Sequence, residues 1–278
     1  MKWRLLAVAC VLLALGLLLY PLMGELVSEK YHSDVEAVYT AAIADSDNAE
    51  LAEQRRTAEA YNALLQGEAA VSTGGASASP LVYAEQLAIG GAMCTIDIPK
   101  IGVYLPVRHG TGVETLERAV GHVVGTSLPV GGAGTHAVLS AHSGMASAKL
   151  FTDIDQLVKG DVFYIHVLGE ALAYEVDQIA TVLPGDTSLL QIEDGQDLVT
   201  LVTCTPFGVN THRLLVRGRR ITTPDKLKHI RVTSDAIKIE PILTAPIMAL
   251  PLLLVLLFWL LFAPRKRSST KDETHKTH

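Results

Sequence analysis

A cysteine between a strand-like run and a loop is the first residue of this sequence with the chemistry of a nucleophile. Cys204 follows the apolar run 198–203 and stands two residues before Pro206, and proline ends regular strand pairing. Side chains where a strand meets a loop often carry function. A thiol with a pKa of about 8.5 is a weak nucleophile, so attack on an amide also needs a proton donor for the leaving amine.

A histidine and an arginine could supply the groups that Cys204 lacks. His142 follows the strand-like run 135–140, and its imidazole could donate the proton. Arg213 begins a strand-like segment nine residues after Cys204, so a hairpin with its loop near 205–211 would return the guanidinium to the sulfur. A permanent positive charge there stabilises an oxyanion. Each residue alone has an ordinary structural explanation, but together they indicate acyl-transfer chemistry.

Short β-branched segments separated by Gly, Pro and Asp must position these three residues. From residue 92 onward seven segments suit strands, and their number and spacing indicate a sandwich or a closed barrel. The predicted strands are 95–98, 102–107, 135–140, 162–167, 172–179, 197–203 and 212–219.

The region before these strands has a different pattern. Apolar residues at helical spacing predict a pair of membrane-proximal helices within 24–70, separated near 45–48. Residues 71–79 are rich in Ser, Gly and Ala, and they predict a flexible linker within 71–91.

Two long uncharged apolar runs, 5–23 and 242–263, predict membrane anchors, because about 20 apolar residues span a bilayer. Basic residues lie in the flanking tails 1–4 and 264–278. The positive-inside rule then places both termini in the cytoplasm and the catalytic region outside, with the lipid bilayer as a partner. No Ala-x-Ala cleavage site follows the first run, which favours an uncleaved anchor over a signal peptide.

The charge distribution of the chain restricts the kinds of molecule it can bind. The 278-residue chain has a formal net charge of -6, and the part between the tails carries 16 basic and 27 acidic residues. Binding to nucleic acid requires a basic surface, so nucleic acid is excluded as a partner.

The cysteine count excludes a disulfide framework. Cys10 lies in the first apolar run, so Cys94 and Cys204 are the one pair outside it. We expect Cys94 to be a buried structural thiol and Cys204 to be free.

The motifs around these residues resemble those of sortases. Thr200-Leu-Val-Thr-Cys204 followed by Arg213 resembles the sortase cysteine signature, and the segment 135–145 resembles its histidine segment. The similarity covers most of 55–222 and looks like the class C, pilin-polymerising branch. A second apolar run near the C-terminus and the tyrosine-bearing helix 58–65 point the same way.

The resemblance implies a mainly β fold, an eight-stranded sortase barrel over 92–232, and a cysteine transpeptidase without metal or other cofactor. Cys204 would be the nucleophile that attacks the Thr–Gly carbonyl of a Leu-Pro-x-Thr-Gly-like sorting signal. His142 would be the general acid and base, and Arg213 would stabilise the oxyanion. The thioester would pass to an amine, in this branch a lysine of a pilin subunit.

The resemblance also suggests which residues surround the peptide. Expected substrate-binding residues are Leu201, Thr203, Thr205 and Asn210. Class C sortases usually carry an Asp-Pro-aromatic lid, whereas this chain has Ser79, Pro80 and Leu81 there and no Asp-Pro dipeptide at all. We therefore expect the lid to be absent or loosely held, and Cys204 to be accessible.

Other functions fit the same sequence. A sortase that anchors surface proteins to a cell-wall precursor amine would have the same active-site residues. A cysteine hydrolase would use water as the acceptor, and a membrane-tethered barrel could bind peptide without catalysis, although such a binder needs no Cys, His and Arg together. A zinc site from His136 and His142 is disfavoured because no third ligand stands at suitable spacing.

Overall fold

The computed structural model describes residues 2–69, 82–145, 148–222, 249–251 and 253–259. The chain divides into two compact units, one made of 1–22 with 238–278 and the other of 23–237. The second unit contains the predicted catalytic residues. The predicted lid residues Ser79, Pro80 and Leu81 lie outside the described residues, as do 223–232 and the basic tail 264–278.

Two helices precede the strands, and they separate where the sequence predicts. Helix α1 spans Lys2–Asp45 and α2 spans Asn48–Ala69. The carboxylate of Asp47 accepts a hydrogen bond of 2.7 Å from the backbone N–H of Glu50, which satisfies one of the free donors at the start of α2. A one-turn helix, α3, spans Val113–Leu116.

The predicted membrane anchors receive no support from the structure. Within the described residues, no helix combines the length and the apolar character that crossing a bilayer requires. More than half of the second predicted anchor, 242–263, lies outside the described residues.

Eight strands form the closed barrel that the resemblance implies. Around the barrel their order is β1, β2, β3, β4, β7, β8, β6 and β5, and β5 pairs with β1 to close it. The strands are β1 Cys94–Ile98, β2 Val103–His109, β3 Val120–His122, β4 Thr135–Ser140, β5 Val162–Val167, β6 Glu170–Val182, β7 Asp197–Thr205 and β8 His212–Ile221.

The periodicity of the sequence predicts seven of these strands and misses β3. This strand has three residues, pairs in parallel with β2 and antiparallel with β4, and contains Gly121. Three residues are too few for a period-2 pattern to be visible, so only the pairing partners reveal the strand.

A close contact inside the barrel sets the position of β8. The rings of Phe163 and Tyr174 stack with centroids 5.7 Å apart, and Gly218 of β8 passes beside them. A Cβ atom at Gly218 would lie 2.5 Å from the Phe163 ring, so any side chain at this position would push β8 outward. Gly218 therefore allows the strand that also carries Arg213 to pack against the core.

Helix α2 is fixed to the barrel by one buried amide. Asn62 is 2% exposed. Its Nδ2 donates to the carbonyl of Leu128 at 3.1 Å, and its Oδ1 accepts from the N–H of Leu128 at 2.7 Å. The N–H of Leu128 depends on this side chain, because a buried polar group without a partner is costly. The carbonyl also accepts from the N–H of Val130 at 2.8 Å.

Replacing Asn62 should destabilise the protein far more than replacing an exposed amide on the same helix. Asn62→Ala leaves the buried N–H of Leu128 without this partner, and we expect the free energy of unfolding to fall by about 2 kcal/mol. The control is Gln66→Ala, which removes one exposed bond to the carbonyl of Ala133 and should cost at most about 0.5 kcal/mol. Urea denaturation followed by circular dichroism measures both, and equal losses would contradict the prediction.

A buried histidine joins β3 to the segment before β1. The Nε2–H of His122 donates to the carbonyl of Ser127 at 2.8 Å, so its Nδ1 accepts from the hydroxyl of Tyr83 at 2.9 Å. The backbone N–H of Gly110 donates to the same hydroxyl at 3.0 Å. Burial lowers the pKa of His122 to about 4, because the imidazolium form would lose its hydration.

The protein should therefore lose stability in mild acid. An unfolded chain protonates this imidazole with a pKa of about 6.5, whereas the folded chain keeps His122 neutral down to about 4. Protons then favour the unfolded state, and the free energy of unfolding should fall by on the order of 3 kcal/mol from pH 6.5 to pH 4 through His122. Denaturation at a series of pH values tests this. His122→Gln should show a shallower fall, and an unchanged slope would exclude His122 as the cause.

Candidate active site

The hairpin of β7 and β8 places the arginine beside the cysteine. Cys204 and Arg213 are directly paired residues of this antiparallel ladder. Directly opposed residues point to the same face of a sheet, with Cβ atoms about 5 Å apart. Both side chains are half-buried. The expectation that a hairpin returns Arg213 to Cys204 is confirmed for the backbone register.

The parallel pairing of β4 with β7 places the histidine at the same end of the barrel. The ladder ends with the pair Ser140 and Val202, and the N–H of Ala141 then donates to the carbonyl of Val202 at 3.1 Å. His142 is the next residue and is half-buried. His142 and Cys204 each lie two residues beyond the last pair of this ladder, so both stand at the same rim of the barrel.

Hydrogen bonds on both sides of His142 fix its backbone. The hydroxyl of Thr203 donates to the carbonyl of Ala141 at 2.7 Å, and the hydroxyl of Ser143 donates to the carbonyl of Cys204 at 2.8 Å. The carbonyl of His142 itself accepts from the N–H of Phe151 at 3.0 Å. The sequence pattern does not distinguish Ser143, because its bond is made to a residue 61 positions further along the chain.

The guanidinium of Arg213 is held by the backbone. Its Nη1 donates to the carbonyls of Asn210 and His212, at 3.3 and 3.0 Å. Among the residues that the structure describes, no carboxylate lies within ion-pair distance of Arg213. Within the described residues, no carboxylate therefore neutralises the positive charge of Arg213.

The loop between β7 and β8 forms an exposed apolar surface beside the thiol. Phe207 is 68% exposed, and its ring would lie 2.8 Å from a Cβ atom placed on Gly144, so the ring covers the glycine of the His142 loop. Asn210 adopts the left-handed conformation with φ of 60° and donates its N–H to the carbonyl of Pro206 at 2.9 Å. Asparagine tolerates this conformation better than most residues.

The four expected substrate-binding residues lie at different depths. Thr205 is half-buried at the end of β7, and Asn210 is exposed in the loop. Leu201 is completely buried in the core, and Thr203 is 4% exposed with its hydroxyl bound to Ala141. The structure places Thr205 and Asn210 at the surface of the rim, whereas Leu201 and Thr203 are buried beneath it.

Two other chemically interesting residues lie elsewhere in the barrel. His136 uses both ring nitrogens, with Nδ1 at 2.7 Å from the carbonyl of Gln191 and Nε2 at 2.7 Å from the hydroxyl of Thr200. Cys94 is completely buried in β1, and burial raises the pKa of its thiol strongly. Neither residue is available for chemistry at the rim.

The comparisons with known proteins agree with this geometry. A family model described as the Sortase domain matches residues 96–221, which include Cys204, His142 and Arg213. The crystal structure of sortase C-1 from Actinomyces oris is 45% identical in sequence with a TM-score of 0.57, and the match covers 62% of this chain and 99% of that one. The chain belongs to the sortase family. The Sortase domain and the relatives that are named sortases support a transpeptidase activity.

Two further relatives show the extent of the similarity. Streptococcus pneumoniae sortase C is 42% identical with a TM-score of 0.60, over 66% of this chain and 95% of that one. Sortase D of Bacillus subtilis (strain 168) is 30% identical over 136 residues, which are 48% of this chain and 66% of that protein. The match to the Bacillus protein thus spans just under two thirds of its length. All three proteins are sortases, and the two solved structures are sortase C proteins.

The burial of the two thiols predicts different reactivity in the folded sortase. Cys204 is half-buried and Cys94 is completely buried, so a small alkylating reagent should modify Cys204 rapidly and Cys94 only after denaturation. The test uses the full chain with Cys10→Ser and counts labels by intact mass. Native protein should carry one label, and the same protein with Cys204→Ala should carry none. Labelling of Cys94 at a rate equal to that of Cys204 would contradict the prediction.

Proposed function

We propose that this sortase cleaves a Leu-Pro-x-Thr-Gly-like sorting signal through a thioester on Cys204 and transfers the acyl chain to a lysine of a pilin subunit. The observation that carries the proposal is the strand register, which pairs Cys204 with Arg213 and ends β4 so that His142 lies at the same rim. Nucleophile, proton carrier and fixed positive charge are the three components that acyl transfer to an amine needs.

In the first half-reaction the Cys204 thiolate attacks the carbonyl carbon between Thr and Gly of the signal. The carbonyl electron pair moves to oxygen, where the guanidinium of Arg213 stabilises the negative charge. His142 donates a proton to the glycine nitrogen as the C–N bond breaks. A thioester remains on Cys204, and the C-terminal peptide leaves with a neutral amine.

In the second half-reaction a lysine amine attacks the thioester carbonyl. His142, now unprotonated, accepts the proton that the amine loses, and Arg213 again stabilises the oxyanion. The C–S bond breaks, an isopeptide bond forms, and the thiolate of Cys204 is regenerated. Each residue therefore returns to its starting state without a cofactor.

Two observations support a pilin lysine, rather than a cell-wall precursor amine, as the acceptor of the acyl chain. The Streptococcus pneumoniae sortase C structure is described in terms of pilin substrate specificity, and the sequence shares the tyrosine-bearing helix and the second apolar run with this branch. The exposed loop with Phe207 and Asn210 offers an apolar and polar surface for the signal beside Cys204. The Sortase domain fits a membrane-associated enzyme outside the cytoplasm.

The decisive experiment is intact-mass spectrometry of the full-length chain in detergent with a Leu-Pro-x-Thr-Gly peptide. We expect a thioester adduct on wild type and none on Cys204→Ala. An added lysine-bearing pilin peptide should convert the adduct into an isopeptide product. Arg213→Lys should slow adduct formation about 100-fold, because a lysine cannot reproduce the guanidinium geometry. The matched control Arg219→Lys lies on the exposed part of the same strand and should be nearly neutral.

The same assay separates the other functions. A cell-wall peptide amine that is used in place of the pilin peptide would indicate surface-protein anchoring. Release of free acid whether or not amine is present would indicate a hydrolase. Peptide binding without adduct or cleavage would indicate a non-catalytic barrel and would overturn the proposal.

A further inference from the structure

The His142 loop and the Cys204 strand remain joined after their backbone ladder has ended. The last backbone bond between them runs from the N–H of Ala141 to the carbonyl of Val202. Two side-chain hydroxyls continue the connection, from Thr203 to the carbonyl of Ala141 and from Ser143 to the carbonyl of Cys204.

These two bonds run in opposite directions and enclose the two proposed reacting side chains. The Thr203 bond ties the cysteine strand to the residue before the histidine, at 2.7 Å. The Ser143 bond ties the residue after the histidine back to the cysteine itself, at 2.8 Å. The backbone on either side of His142 is therefore held to the backbone that carries Cys204.

Within the described residues of the loop, the other hydrogen bonds do not reach the cysteine strand. The carbonyl of His142 accepts from the N–H of Phe151 at 3.0 Å, and the N–H of Gly144 donates to the hydroxyl of Thr152 at 3.1 Å. Both bonds lead to the segment after the loop. Gly144 has a left-handed φ of 75°, a conformation that glycine adopts readily.

We infer that Ser143 is a positioning residue for the proposed transpeptidation, and that its hydroxyl sets the distance between the imidazole of His142 and the sulfur of Cys204. The inference rests on the proposed function. Ser143 acts on the reaction through the backbone and not through contact with the peptide. A displacement of about 1 Å between reacting groups costs about 100-fold in rate, so the loss of this bond should appear in kcat and not in KM.

The test compares Ser143→Ala, Ser143→Thr and the control Ser140→Ala in the full chain. Ser140 is a half-buried serine of β4, three residues before Ser143. We expect kcat for thioester formation to fall about 10- to 100-fold in Ser143→Ala with KM unchanged within twofold. Ser143→Thr, which keeps the hydroxyl, should recover most of the rate, and Ser140→Ala should match wild type. Thermal melting shows that each variant is folded.

A double-mutant cycle tests whether Ser143 acts through His142. Adding Ser143→Ala to His142→Ala should leave the residual rate unchanged, because there is then no imidazole to position. Wild-type kcat in Ser143→Ala, a loss that appears in KM alone, or a Ser143→Thr variant as slow as Ser143→Ala would overturn the inference. If wild type itself forms no adduct, the proposed function fails instead, so the two failures are distinguishable.

Discussion

The pairing of β7 with two neighbours is the constraint on which the candidate site depends. β7 runs parallel to β4 and antiparallel to β8, so the ends of β4 and β7 and the start of β8 meet at one rim. Cys204, Arg213 and the residue after β4 are placed there by register alone. A slip of one residue would turn a side chain to the opposite face, and a closed barrel leaves no free edge along which a strand can slip.

Packing away from the rim keeps this register fixed. Within the barrel, Gly218 lets β8 approach the stacked rings of Phe163 and Tyr174. Outside it, Asn62 hydrogen-bonds to both backbone groups of Leu128 and so holds α2 against the connection between β3 and β4. These contacts are buried and leave few alternative arrangements, because close-packed interiors tolerate little change in volume. The residues at the rim are therefore attached to a rigidly packed barrel.

The rim itself is held by a few single bonds, of which the Thr203 bond is buried and the Ser143 and Arg213 bonds are more exposed. Single hydroxyls of Thr203 and Ser143 join the histidine loop to the cysteine strand, and backbone carbonyls orient Arg213. Binding and catalytic groups commonly lie on such loops above a rigid scaffold. In this sortase the arrangement combines precise placement of the backbone with side chains that remain accessible to a peptide.

The sequence by itself predicted the candidate reacting residues and determined seven of the eight strands and the family, because strand patterns and the motif around Cys204 are local properties of the chain. It also led to the expectation that Leu201 and Thr203 touch substrate, whereas folding buries both. Only the tertiary structure decided that β3 pairs between β2 and β4 and that Ser143 binds the carbonyl of Cys204. Both depend on contacts between distant segments, and such contacts form when the barrel closes and have no periodic signature in the sequence.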